Sequence, residues 1–239
     1  REIIQIDKKD PLKYKINLDW IVYHKTRDKW ISEKFIKTFG KKRNYKEKIT
    51  NHHKNISAAL QDRLEEIVIF QLKYLKKKIK LDYLCIAGGV GLNCTLNGKI
   101  SRSRLFKEIF VQPASGDSGV AYGTCLVSEK KYNKNIKFKK EHNYYLGSRE
   151  TKNQIKINLK KKKLIFRDYK VNLFKETAKL LNKGKIIAWF QGATEFGPRA
   201  LGNRSILAKP FPSEIRDHVN NNVKFREYFR PFAPAVLEE

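Results

Sequence analysis

An α/β fold is predicted by three features of the 239-residue sequence. One long segment has helical periodicity, two short apolar runs each lead into a glycine-rich loop, and a further strand–helix–strand run follows towards the C-terminus. Residues 1–50 resist this reading, because WIVYHKTRDKWIS carries aromatic residues without clean periodicity. FGKKRNYKEKI (39–49) reads as a loop. In NISAALQDRLEEIVIFQLKYLKKKI (55–79), Ile56, Ala59, Leu60, Leu64, Ile67, Val68, Leu72 and Leu75 recur at three- and four-residue steps, which predicts an amphipathic helix. Asn55 or Ser57 can cap it, and lysines cluster at its C-terminal end, where the helix dipole favours cations.

DYLCIA (82–87) then predicts a buried strand, GGVGLNC (88–94) a turn into a helix running to about Arg104, and EIFVQP (108–113) a second strand. ASGDSG is a second loop, and VAYGTCLVSEKKY (120–132) a helix. The segment 139–154 is a plausible domain boundary. Beyond it, KLIFRDY (163–169) reads as a strand, LFKETAKLLNKG (173–184) as a helix stopped by Gly184, KIIAWFQG (185–192) as a strand and RSILAKP (204–210) as another. PSEIRDHVNNNV (212–223) is a helix with Pro212 near its first position and Ser213 as a competing cap.

Composition narrows the function classes. A hydrophobic fraction of 41% is that of a globular protein. No apolar run approaches the ~18 residues that span a bilayer, and the first residues do not form a signal peptide. Met is absent and RPFAPAVLEE reads as mid-domain sequence, so material is expected to be missing at both ends. The formal net charge is +28, but Lys outnumbers Arg about three to one and is spread along the chain. Nucleic-acid interfaces favour Arg for bidentate contacts, so compositional drift is the preferred explanation of the charge. Cys85, Cys94 and Cys125 form no CxxC and have apolar or small neighbours, which predicts buried thiols in a cytoplasmic protein.

Three segments can carry chemistry. The two glycines of AGGVGLN permit a tight turn and close approach to a ligand ahead of a helix N-terminus. In PASGDSG, Asp117 can cap the helix, the ordinary role of Asp at this position, or ligate a metal. Both loops stand at strand C-termini, where a nucleotide cleft can form. The third segment is GATEFGPRALGNRSI (192–206), with Arg199 and Arg204 around ALGN and Ser205 following. Arg226 and Arg230 recur beside Lys224 in KFREYFRPFAP. Guanidinium groups suit anionic oxygens, and Glu195 and Glu227 are candidate orienters. Salt bridging between loops is the plainer reading of either segment alone; the concentration of Arg in both favours an anion site. His52 and His53 invite a metal reading, but adjacent helical residues point about 100° apart, and His24, His142 and His218 lack suitable spacing.

Taken together, CIAGGVGLNCTLNGKI, VQPASGDSGVAYGTCL, GATEFGPRALGNRSILA and VKFREYFRPFAPAVLEE resemble the nodulation-type and antibiotic-tailoring O-carbamoyltransferases, in the same order over roughly residues 52–239. The resemblance implies the C-terminal half of an actin/Hsp70-like (Kae1-like) ATPase-type domain over 1–145. The start of a YrdC-like α/β domain would occupy 146–239. It implies that carbamoyl phosphate and ATP yield carbamoyl-adenylate, and that the carbamoyl group passes to a hydroxyl of a sugar or natural-product acceptor. It places the adenylate-facing loop on Gly88, Gly89 and Val90, with Asn93 and Gly116 nearby, and a divalent metal (iron or Mg) on Asp117. Arg199, Arg204, Ser205, Lys224, Arg226 and Arg230 match the second domain's basic motifs.

No general base is identified, and the family's His-x-x-x-His motif is absent; the histidines at 52–53 stand in the wrong context to replace it. Ala193-Thr194 stands where a basic–Met pair is usual, which weakens the expected anion site. Lys209 replaces a commonly acidic residue and looks peripheral. A tRNA threonylcarbamoyl-transfer relative, or a non-catalytic basic nucleic-acid-binding module, are the alternatives.

Overall fold

The computed structural model describes residues 1–7, 9–44, 47–138 and 143–237. His142, part of the expected loop at 39–49 and the first residues of the expected boundary at 139–154 lie outside them. The described residues form a mixed α/β structure with three two-stranded sheets. The chain divides into two compact units, Arg1–Gly116 and Asp117–Glu239.

The first unit opens with an antiparallel hairpin, β1 (Ile4–Ile6) and β2 (Tyr14–Ile16), which the sequence pattern did not reveal because each strand has only three residues. Trp20 is buried beside Phe39, and the short helix α1 (Glu33–Phe39) is capped by the Ser32 hydroxyl, which accepts from Phe35 N–H at 3.1 Å. The long helix α2 (Asn51–Ile79) begins a turn earlier than expected. Its cap is Thr50, whose backbone N–H donates to His53 Nδ1 (3.1 Å), and His52 bonds the Phe39 carbonyl through Nε2 (2.6 Å). Local bonding thus occupies both histidines.

β3 (Tyr83–Ile86) is followed by a 3₁₀ turn over Gly89–Leu92 and by α3 (Cys94–Arg102). β4 (Glu108–Val111) then pairs parallel with β3. The core consists of Leu72 from α2 and Leu96 and Ile100 from α3, surrounded by Leu64, Val68, Leu75, Leu84, Ile86 and Ile109. Leu64, Val68, Leu72 and Leu75 of the helical stripe read from the sequence therefore join this core, whereas Ala59 and Leu60 are exposed. All three cysteines are exposed, contrary to the expectation of buried thiols. A two-stranded sheet has few neighbours to cover it: Cys85 lies on the exposed set of β3, whose burial alternates along the strand.

The second unit contains α4 (Asp117–Tyr132), α5 (Lys152–Lys161), α6 (Leu173–Asn182), β5 (Ile187–Phe190), β6 (Arg204–Leu207) and α7 (Ser213–His218), the last running into a π turn over Val219–Val223. Pro212 is the cap of α7, so Ser213 is its first helical residue. Helix α5 was not expected; Thr151 and Gln154 cap it reciprocally, with Gln154 N–H donating to the Thr151 hydroxyl (3.2 Å) and Thr151 N–H to Gln154 Oε1 (2.8 Å). The strand expected at 163–169 does not form. No strand among the described residues pairs with it, Ile165 is fully exposed, and Asp168 is instead tied to Lys156 at 2.8 Å. Strands β5 and β6 pair antiparallel, so the stretch Gln191–Asn203 is the loop of a wide hairpin. Phe174 of α6 lies against Trp189 of β5, and Tyr122 of α4 against Phe196 of the loop, at ring separations of 6.1 and 6.0 Å.

Candidate functional site

The glycine loop of the first unit forms because β3 ends at Ile86 and the chain must turn sharply into α3. Gly88 adopts φ +94°, a conformation that favours glycine, and its N–H donates to the Ser115 carbonyl at 2.7 Å. That bond joins the loop after β3 to the loop after β4, at the C-terminal edge of the parallel pair. Gly91, which sequence reasoning passed over, is the tightest position. It is buried, and a Cβ there would lie 2.9 Å from Ser115 Oγ. Gly89 and Val90 open the 3₁₀ turn, where the first N–H groups of a helical turn lack intrahelical acceptors. Gly116 has room for a Cβ at ordinary contact with Leu92.

Asn93 has a structural duty. Its Oδ1 caps α3 by accepting from Leu96 N–H (3.0 Å), while its amide exchanges bonds with Gln61 at 2.9 and 3.2 Å. Gln61 continues to the buried Glu65 (2.7 Å), which Lys99 also reaches (2.7 Å). The Lys99 and Gln61 bonds hold the Glu65 carboxyl below its ordinary range. Asn97 donates to the Gly91 carbonyl at 2.8 Å. Asn97 Oδ1 and Ser115 Oγ are buried without hydrogen-bond partners among the described residues.

Asp117 is exposed at the first position of α4, and its carboxylate makes no hydrogen bond to the described residues. No group of three or more His, Cys, Asp or Glu residues placed to hold a metal occurs among the described residues. One carboxylate is too small a donor set for a divalent ion, which takes four to eight ligands. The described residues therefore do not assemble a metal centre by themselves.

In the second unit the hairpin loop is organised around Glu195. Its Oε1 accepts from the backbone N–H groups of Leu201 (3.0 Å), Asn203 (2.7 Å) and Arg204 (3.0 Å). Burial opposes ionisation of this carboxylate, but the amides of Leu201, Arg204 and Asn203 outweigh it and bring its pKa to about 2. Asn203 is buried and donates through Nδ2 to the Ala193 carbonyl (2.7 Å). Glu195 thus orients the backbone and not the guanidinium groups.

Arg204 is a structural element of the same loop. Its guanidinium donates to the carbonyls of Gln191 (2.5 Å), Asn203 (3.1 Å) and Gly192 (3.3 Å), and stacks over Phe190 at 3.6 Å. Ser205 is half-buried opposite Trp189 in the sheet. Arg199 is exposed and makes no hydrogen bond or ion pair to the described residues. In the second basic segment, Asn220 is the centre. It is fully buried, donates to the carbonyls of Tyr228 (3.1 Å) and Arg230 (3.0 Å), and accepts from Arg226 Nε (2.7 Å). Arg226 also covers Phe232, and Arg230 bonds Glu227 at 3.0 Å. Lys224 is exposed at the end of the π turn. The hydrogen bonds of Arg204 stay within the hairpin, and those of Arg226 and Arg230 within residues 220–230. Asn203 and Asn220 went unnoticed in the sequence because a polar residue in a loop carries no signal of burial.

Comparison with known proteins gives two family matches. The profile described as Carbamoyltransferase N-terminus matches residues 1–126, and that described as Carbamoyltransferase C-terminus matches residues 178–239. Nodulation protein NolO of Bradyrhizobium diazoefficiens is 42% identical over 80% of this chain and 35% of its own length. Nodulation protein NolNO of Sinorhizobium fredii is 43% identical over 80% of this chain and 28% of its own. A 3'-hydroxymethylcephem-O-carbamoyltransferase of Streptomyces clavuligerus is 36% identical over 65% of this chain and 28% of its own. The chain therefore spans about a third of the length of the curated relatives it matches.

Proposed function

The chain belongs to the carbamoyltransferase family, and from that membership we propose that it is part of an ATP-dependent O-carbamoyltransferase. Carbamoyl phosphate is first hydrolysed by water to carbamate and phosphate, and a carbamate oxygen then attacks the α-phosphorus of ATP, so that the α–β phosphoanhydride bond breaks, pyrophosphate leaves and carbamoyl-adenylate forms. An acceptor hydroxyl then takes the carbamoyl group and AMP leaves. The printed name of the Streptomyces clavuligerus relative, an O-carbamoyltransferase acting on a hydroxymethylcephem, supports a small hydroxyl-bearing acceptor.

The division of labour follows the two regions. Residues 1–145 carry the transfer step, with the adenylate against the amides of Gly89 and Val90 and beside Gly88 and Gly116. Asn93 fixes that loop through its cap on α3. Residues 146–239 form the adenylate, with Arg199 and Lys224 as the cations that remain open to phosphate oxygens. Arg204, Arg226 and Arg230 shape the backbone that carries them, and Ser205 lies at the base of the loop. A divalent metal, iron or Mg, would use Asp117 and draw its other ligands from outside this chain, where it would polarise the carbamoyl carbonyl. A cytoplasmic location belongs to the same reading; no helix among the described residues is long and apolar enough to cross a membrane.

The observation that carries the proposal is the Glu195-bound loop, which holds its backbone rigid while leaving Arg199 exposed. The test is pyrophosphate release by the protein as encoded in its genome, supplied with ATP and carbamoyl phosphate. Release should require carbamoyl phosphate and fall at least about tenfold in Arg199→Ala, as expected for loss of one charge-assisted contact. Unchanged release in that variant removes Arg199 from the site, and release independent of carbamoyl phosphate overturns the reaction.

A further inference from the structure

We propose that Arg149 is the cation of a phosphate-sized anion site in a cleft on the flank of the hairpin loop. The inference rests on reading that loop as an anion-binding element.

The cleft lies within the second unit and has a volume of about 550 Å³. Arg149 and Asn143 form one side, and Gln191, Gly192, Ala193 and Asn203 the other. Among the described residues, Arg149 is the only ionised side chain that lines it, and no carboxylate does. Its guanidinium is exposed and makes no hydrogen bond or ion pair to the described residues. An unengaged guanidinium facing amide groups in a recess suits an oxyanion, which takes a bidentate pair from Arg and further bonds from amide N–H groups.

The position of Arg149 is fixed by backbone. The segment 144–149 is laced to the loop through Phe196 N–H to the Tyr144 carbonyl (2.7 Å), Gly147 N–H to the Thr194 carbonyl (2.9 Å) and Thr194 N–H to the Ser148 carbonyl (3.0 Å). The Tyr145 hydroxyl adds a bond to the Leu201 carbonyl at 2.9 Å. The approach is close enough that a Cβ on Gly147 would meet Thr194 Cβ at 2.7 Å. An antiparallel bridge then sets Arg149 directly beside Ala193. Ala193 contributes only a methyl group, so the neighbouring segment supplies the positive charge that a basic residue at 193 would otherwise bring. The weakened anion site expected from Ala193-Thr194 is in this way compensated.

The probe is inorganic phosphate, titrated calorimetrically into the protein as encoded at about 0.15 M salt, where exposed lysines beyond a Debye length of roughly 8 Å are screened. Arg149→Ala should weaken binding about tenfold, the size of one lost charged hydrogen-bond pair. Arg149→Lys should fall between, because it keeps the charge and loses the fork. Ala193→Arg placed in the Arg149→Ala background should restore binding, because it returns a cation to the same cleft from the opposite strand. The urea midpoint of Arg149→Ala should match that of the wild type, since its side chain supports nothing in the fold. Wild-type affinity in Arg149→Ala, with a loss in Arg199→Ala, overturns the assignment to Arg149 and leaves the loop reading intact. Absence of phosphate binding by the wild-type protein overturns both. A drop in affinity matched by a drop in the urea midpoint makes Arg149 structural and also overturns the proposal.

Discussion

The loop at Gly88–Asn93 and the loop at Gln191–Asn203 both end a strand, both use glycine at positive φ, and are held in opposite ways. The first is held by side chains that reach it from helices: Asn97 on the Gly91 carbonyl, and Asn93 tied to Gln61. What it would offer the proposed ligand is its backbone, namely the amides of Gly89 and Val90 at the start of a helical turn. The second draws its own backbone inwards onto the Glu195 carboxylate and offers a side chain, Arg199. A peptide amide is a short-range partial charge suited to a phosphate already in place. A guanidinium is a full charge that acts at longer range. The same residue, glycine, therefore serves close approach in one loop and a compact turn around a carboxylate in the other.

The largest expected effect breaks the second loop. Glu195→Ala leaves three backbone N–H groups without their acceptor and should cost about 3 kcal/mol, read as a lowered urea midpoint; an unchanged midpoint would mean that the loop holds itself. The charge can be tested separately by acid titration. The folded pKa of Glu195 lies at about 2 against an ordinary 4.5. Its stabilisation is therefore complete above pH 4.5 and disappears as the pH falls towards 2. Glu195→Gln should flatten that part of the acid profile. A remainder should persist from Asp82, held at about 2 by Lys107 and Lys76, and from Asp168, held at about 2 by Lys156 and the Lys170 amide.

Next in size is Asn220→Ala. Removing a buried amide that joins Tyr228, Arg230 and Arg226 should cost about 2 kcal/mol in the same measurement. A loss below half that value would show that the arginine segment is ordered by other contacts. Gly91→Ala sharpens the first loop: its methyl group would press on Ser115 and cost about 1–2 kcal/mol. Ser115→Gly should recover most of it in the double variant, and simple additivity of the two changes would refute the contact. The smallest effect is Arg199→Ala, within about 0.5 kcal/mol of wild-type stability, as for any surface change away from a structural feature. A larger loss would place Arg199 among the scaffold arginines.

Periodicity made the first unit legible. The stripe from Leu64 to Leu75 packs against α3 and the β3–β4 pair because a helix of that length has one face to bury, and alternation of apolar residues and glycine located both loops. The β1–β2 hairpin and α5 were missed because three-residue strands carry no detectable period, and α5 announces itself only by its Thr-x-x-Gln cap. KLIFRDY misled because an apolar run predicts a strand only when a partner strand is present. Within the candidate site, residue types singled out arginine and glycine, but the structural roles are divided by bonds between distant residues. Arg204 meets Gln191 and Gly192 across the hairpin, and nothing in its own surroundings in the sequence distinguishes it from Arg199.

Because one carboxylate oxygen gathers the amides of Leu201, Asn203 and Arg204, the path of the loop is set by bonds that Glu195, Asn203 and Arg204 make to backbone and not by the side chains on its outer arc. Pro198, Arg199 and Ala200 are exposed on the outer arc. If the loop binds an anion as proposed, substitutions there would change which anion is preferred while the path of the loop stays the same. On that reading the arrangement would separate heritable shape from heritable selectivity, so a lineage could explore new substrates through the outer arc without first finding a new way to fold it.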